Sequence, residues 1–217
     1  MSRPDATTVT CPHCGQAQDF VAWNSLNATL DPERKAELLS GELTRLRCTH
    51  CRASCDVVHP LLYHDMKRRL MVHFLAGEAA PELSGLPLGA MLKDYRLRWV
   101  DSRHELIEKI LLADANLDDQ MMELFKVVVR VQMESDPGGE LYFEEFGQDA
   151  DGQDIVKFVQ VTPRQACQVT TARQFFEKFA GGVGAVLQRE TLAAGHWHRV
   201  NRAYAEALMK KYVPDPP

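Results

Sequence analysis

"CPHCG" at residues 11–15 and "CTHC" at residues 48–51 are the two stretches on which the reading of this chain turns. Two cysteines separated by two residues can aim both sulfurs at one ion, and a second such pair completes the tetrahedron that Zn2+ prefers. A redox CxxC would sit beside a helix N-terminus in a βαβ setting and would need no second pair. The pattern therefore predicts one structural Zn2+ held by Cys11, Cys14, Cys48 and Cys51, and it sets redox chemistry aside. Gly15 follows the first pair directly, where a knuckle needs positive φ and a backbone N–H aimed at sulfur. Four thiolates close the metal shell, whereas catalytic zinc keeps a position open for water, so the expected role is folding.

The residues between the pairs account for their wide separation. "AQDFVAWNSLNATL" alternates apolar and polar residues and reads as a strand or hairpin arm. "LDPERKAELLSGEL" then carries helix punctuation in order: Asp31 as N-cap, Pro32 in the first turn, Glu33 near the positive end and Gly41 as the stop. "LTRLRC" leads as a strand into the second pair, and "CDVVHPLLYHDMKRRLMVHFL" reads as two strands turning around "HDMKR".

Beyond this β-rich unit, "AGEAAPELSGLPLGA" lacks a periodic apolar face and reads as a linker. Ser102 and Glu105 form an S-x-x-E capping box, followed by Leu106, Ile107, Ile110 and Leu111 at helical spacing. "ANLDD" separates this helix from a second one. A β-hairpin is expected from about Glu140 to Val161, with "GQDADGQD" as its turn. The EF-hand alternative fails because Gly147 and Phe158 would occupy positions that need carboxylates. "TARQFFEKFA" and "GHWHRVNRAYAEALMKKYV" return to helical spacing. "AGGVGAVL" lacks a phosphate-loop pattern and reads as an interhelical turn or close packing; the tail "PDPP" is expected to fray.

The expected fold class is α+β: an N-terminal zinc-ribbon-like β domain with an inserted helix (residues 1–76), a linker (77–90), and a mostly helical domain containing a β-hairpin (91–217). The 217 residues are 45% hydrophobic and contain neither an apolar run that would span a bilayer nor the apolar core of a secretory signal, which predicts a cytoplasmic protein without a membrane partner. Net charge is −5. The first 75 residues carry +1 and the remainder −6, which offers little general attraction for a phosphate backbone.

The span "CPHCGQAQDFVAWNSLNATLDPERKAELLSGELTRLRCTHCRASCDVVHPLLYHDMKRRL" resembles the CpXC family of uncharacterised bacterial and archaeal proteins. The inserted "DPERKAELLSGEL" helix and "PLLYHD" before a basic turn share the likeness, as does "RHELIEKILLADANLDDQMMELFK" further on. The resemblance implies a zinc-binding domain without an established activity, with metal roles for the four paired cysteines only. Thr49 replaces the family's Pro in the second pair, and Arg52 stands where Gly is easier.

Other candidates rank lower. Cys55 reads as a buried thiol that could compete as a ligand, and His13 and His50 as exposed knuckle tips. His59, His64 and His73 read as polar-face residues unless they converge, and "HWH" at residues 196–198 projects its side chains to different sides of a helix. No catalytic order stands out, and Asp114, Asp118 and Asp119 read as acids that favour helix starts. The expectation is a non-enzymatic protein acting through a protein partner as an adaptor. Nucleic-acid binding is the alternative, through Arg45, Arg47, Arg52, Lys67, Arg68 and Arg69 with Trp23 or Tyr63 for stacking.

Overall fold

The structure, a computed structural model, describes residues 2–77, 92–133 and 138–212. The expected linker, apart from Gly77, and the tail from Pro214 lie outside the described residues. The fold is mixed α+β, with five α-helices and three sheets among the described residues. The chain divides into two compact units, Met1–Ile107 with Ala194–Trp197, and Glu108–Ala193 with His198–Pro217.

In the first unit, β1 (Arg3–Thr10) and β2 (Ala17–Asn27) form an antiparallel hairpin with the first cysteine pair in its turn. Asn27 ends the strand with its side chain, whose Oδ1 accepts from the N–H groups of Thr29 and Leu30. Helix α1 (Pro32–Ser40) follows with Pro in the first turn, and Gly41 ends it at φ 86°. Asp31 occupies the cap position without a side-chain cap bond, because its carboxylate accepts from the Ser2 hydroxyl instead. A 3-10 turn (Glu42–Thr44) leads into β3 (Arg45–Arg47), which pairs antiparallel with β4 (Ser54–Asp56) around the second cysteine pair.

β5 (Leu61–Asp65) and β6 (Leu70–Phe74) make the expected hairpin, and β7 (Arg96–Val100) runs parallel to β6. The main sheet has the order β1-β2-β5-β6-β7. β2 and β5 are parallel, so they need a crossover, which α1 and the β3–β4 hairpin supply. The register sets Leu61 opposite Phe74 and Tyr63 opposite Val72, all four buried on one face. Leu26, across from Tyr63 in β2, and Leu38 of α1 are equally buried. The sequence places β7 with the following domain, whereas its ladder to β6 makes it the edge of this sheet.

The boundary between the units falls inside α2 (Arg103–Asp114). Ser102 Oγ accepts from the Glu105 N–H at 3.1 Å, while the Glu105 carboxylate accepts from Asp101 N–H at 3.0 Å, so the capping box closes one residue early. In the second unit, α3 (Asp119–Gln132) begins at Asp118, whose side chain accepts from Met121 N–H. β8 (Glu140–Gln148) and β9 (Asp154–Val161) form the expected hairpin, with Asp149 Oδ1 accepting from the N–H groups of Asp151 and Gln153 in its turn.

β10 (Ala166–Ala172) extends the hairpin to three strands in the order β8-β9-β10, followed by α4 (Arg173–Arg189) and α5 (Arg202–Tyr212). Phe125 centres the core: Phe175, Phe176 and Phe179 pack on its ring at 5.1 to 5.4 Å and Phe158 at 6.2 Å. Leu112, Met122, Val129, Leu141 and Val156 are buried in the same cluster.

Two expectations fail here. "AGGVGAVL" is not an interhelical turn but lies within α4, whose amphipathic Phe175, Phe176 and Phe179 face carries the helix past its glycines. "GHWHRV" is not helical, since α5 starts only at Arg202. Trp197 instead lies against His73, with ring centroids 6.0 Å apart. Among the described residues no helix is long and apolar enough to cross a membrane.

Candidate metal centre

Both cysteine pairs adopt the same backbone turn. The Cys11 N–H donates to the Gln16 carbonyl and the Gly15 N–H returns to the Cys11 carbonyl, each at 2.9 Å. The Cys48 N–H donates to Ala53 at 2.8 Å, and the Arg52 N–H returns to Cys48 at 2.9 Å. Each turn needs a left-handed residue at the same place: Gly15 at φ 72° and Arg52 at φ 62°. Glycine takes this conformation freely, whereas a residue with a Cβ is strained there. The second knuckle therefore carries the strain that its missing glycine predicts.

These turns bring four sulfurs together from hairpins far apart in sequence. The Sγ atoms of Cys11, Cys14, Cys48 and Cys51 all lie within 4.8 Å of one another. Cys11 and Cys51 are 3.8 Å apart, and Cys14 and Cys48 are 3.6 Å apart. A tetrahedral site with Zn–S bonds of about 2.3 Å has sulfur–sulfur edges of about 3.8 Å, while a disulfide would bring two sulfurs to about 2.05 Å. All four cysteines are free thiols at spacings that suit a shared cation. Cys11 and Cys48 are buried; Cys14 is half-buried and Cys51 exposed.

The local electrostatics favour an ion. The Cys51 N–H points at the Cys48 sulfur from 3.5 Å and, with the His50 N–H and two neighbouring sulfurs, lowers that thiol to about 6. Cys14 receives a lowering hydrogen bond from Gln16, yet burial and the other three sulfurs drive it up to about 12. Four thiols this close resist ionising together, and a divalent cation at their centre removes the conflict.

Gln18, on β2, ties the two hairpins together. Its Nε2 donates to the Arg47 carbonyl at 3.1 Å, and its Oε1 accepts from the Thr49 N–H at 2.9 Å. A Pro at position 49 would have no N–H to donate, so Thr49 supplies half of this brace. A lone Gln in an alternating strand gives no sequence signal of such a role.

The remaining candidates are dispersed. Cys55 sits on β4 opposite Leu46, outside the four-sulfur cluster, its thiol pushed up first by burial and then by the Cys11, Asp56, Cys48 and Cys51 charges. His13 and His50 are exposed at the knuckle tips, as expected. His59 bonds within its own turn to Pro60, His64 to the Tyr95 hydroxyl, and His73 lies against the tilted ring of Trp197, so the three do not converge on one ion.

Arg45 and Arg47 both bond to Glu42, at 2.6 and 2.9 Å, and Arg52 is exposed on the second knuckle. Lys67, Arg68 and Arg69 occupy the exposed β5–β6 turn, which Asp65 and Thr29 fasten through the Arg68 and Met66 N–H groups. Tyr63 is 1% exposed, which corrects its assignment as a stacking residue; a ring packed against Leu26 and Val72 across neighbouring strands has no free face. Trp23 is half-buried under the Arg34 guanidinium, 5.3 Å from its ring centroid.

A second polar constellation had no clear sequence signal. Glu108, Lys109, Asp119, Glu123 and Lys126 are all buried in the second unit. Lys109 reaches Glu123 at 3.1 Å and Asp119 at 3.4 Å, and Lys126 reaches Glu108 and Glu123 at 2.9 Å. Glu108 also accepts from the Phe143 N–H at 2.6 Å. Asp119 thus has a specific buried partner beyond its place at the helix start.

Comparison with known proteins gives one match. No curated protein and no solved structure matches this chain. The sequence profile described as "CpXC protein" matches residues 9–126, which include both knuckles, α1, the β5–β6 hairpin and all five members of the buried ionic set. With more than half of its length matched, and with the four-cysteine cluster inside the match, the chain belongs to the CpXC family.

Proposed function

We propose that this chain is a non-enzymatic zinc-binding protein in which one structural Zn2+ fastens a zinc-ribbon-like N-terminal unit for recognition of a protein partner. The observation that carries the metal reading is the convergence of four sulfurs within 4.8 Å from two knuckles of the same backbone form. An all-sulfur, four-member set suits Zn2+, and four thiolates leave no position for a reacting water. The role that remains for the ion is to hold the β1–β2 hairpin against the β3–β4 hairpin.

Elemental analysis of the purified chain tests the metal: one zinc per chain is expected, and Cys48→Ser should lose it together with the fold of the first unit. Full zinc-free protein with unchanged amide protection around Cys11 and Cys48 would reject the proposal. For the adaptor role, a partner bound by the zinc-loaded chain should be released on chelation. The acidic overall balance supports a protein partner, and retention of DNA or RNA at moderate salt would overturn that part of the reading.

A further inference from the structure

The first unit contains a cavity of about 30 Å³ walled mostly by apolar side chains, among them Leu38, Leu43, Leu61 and Leu106, with Asp56 and His59 also on its lining. That exceeds the roughly 10–15 Å³ that one water needs on the same measure, and the apolar walls offer water few partners. Arg103 also lines the cavity, and its guanidinium is poorly satisfied. Its Nη2 donates to the Leu38 carbonyl over a long 3.4 Å, its Nη1 stands 3.8 Å from Asp56, and its buried Nε has no hydrogen-bond partner. A buried donor left without an acceptor is costly.

The placement of this cation is itself uncomfortable. Arg103 is the first residue of α2, where the helix dipole favours negative charge. Burial first, and then the Arg103 charge, hold the adjacent His104 below its ordinary value. Gly41 leaves room for the guanidinium, since a Cβ there would lie 2.6 Å from Nη2. Asp56 is half-exposed and can turn to water if a better acceptor arrives.

We propose that this cavity binds a small free monocarboxylate with a short branched alkyl group, the alkyl part against the apolar walls and the carboxylate on the Arg103 guanidinium. Planar, two-point recognition of a carboxylate is what a guanidinium does best, and an incoming anion would give the orphan Nε–H an acceptor. The small volume favours a free acid over a bulky chain.

Isovalerate is the probe, and isovaleramide is its neutral match in shape. Titrated into the full zinc-loaded chain, isovalerate should produce saturable shifts of the Leu38, Leu43, Leu61 and Leu106 methyl resonances in the millimolar range. Isovaleramide should bind about tenfold more weakly or worse, as expected for loss of a charge-assisted bond. Arg103→Gln should reduce isovalerate binding to the level of the amide, and Arg103→Lys should restore only part of it. Because acid and amide are compared on the unaltered protein, a variant that misfolds leaves the test intact. Equal binding of the two compounds, no saturable shift with isovalerate, or tighter binding of N-acetyl-leucine would each overturn the assignment, the last by moving it to a peptide terminus.

Discussion

Replacing Lys126 by Met should destabilise the second unit by about 3–5 kcal/mol, because it removes one cation from a buried set of three acids and two lysines. Lys126 bonds both oxygens of Glu108, at 2.9 and 3.0 Å, and also reaches Glu123. In its absence Glu123 keeps Lys109, but Glu108, 1% exposed, loses both Lys126 contacts and keeps only the Phe143 N–H among the partners described above. Methionine nearly matches the lysine stem in volume, so the penalty reports the charge and not a cavity. Native-state hydrogen exchange on the α3 amides is the assay suited to a chain of two units, where a single unfolding midpoint would mix them. Protection that reflects opening of this unit should fall by roughly 10²- to 10⁴-fold, at about 1.4 kcal/mol per factor of ten. Adding Glu108→Gln to Lys126→Met should recover a large part of the loss, since the amide oxygen still accepts from Phe143 without leaving a buried charge. A loss below about 1 kcal/mol for Lys126→Met would refute the reasoning, because a pair that weak behaves as a surface ion pair.

Three further outcomes follow from the same structure. Burial raises Glu108 above its ordinary value of 4.5, despite the opposing pull of Lys126, so as pH rises the unfolded chain gives up this proton before the folded state does. The Glu108 contribution should therefore be full below the unfolded value and decline as pH rises through the folded one; a pH series of α3 exchange should show a slope that Glu108→Gln removes, and matching slopes would contradict it. Gly15→Ala and Gly181→Ala test backbone effects without steric ones, since an added Cβ meets nothing within 4 Å at either site. The first, at φ 72°, should cost about 1–2 kcal/mol, whereas the second, inside α4, should stabilise by about 1 kcal/mol, both measured by unfolding of the unit concerned. Gln18→Ala should weaken zinc retention against a chelator by about tenfold, in the range of other groups that orient ligands from behind, and unchanged retention would show that the knuckles hold without the brace.

The parts of this protein legible in its sequence are those with local causes. Pro32 and Gly41 bracket α1 because one restricts φ at a helix start and the other accepts positive φ at its end. "HDMKR" turns between strands whose alternation is visible, and the four-cysteine cluster follows from the two-residue spacing within each cysteine pair. β1 was not legible: seven of its eight residues are exposed, and it is a strand only because β2 supplies its ladder. The glycines of α4 read as a break until the core behind Phe175, Phe176 and Phe179 is known.

What the sequence determined by itself, then, is the local grammar of turns, caps and knuckles, since those energies act over a few residues. Tertiary structure alone decided which elements share a sheet: β7 joins β6 across a long separation, and a parallel ladder leaves no signature in the intervening chain. It also decided which charges are buried. Glu108 and Lys126 look like ordinary helical surface residues in sequence, and only the packing of α2, α3 and β8 removes them from water and makes each necessary to the other.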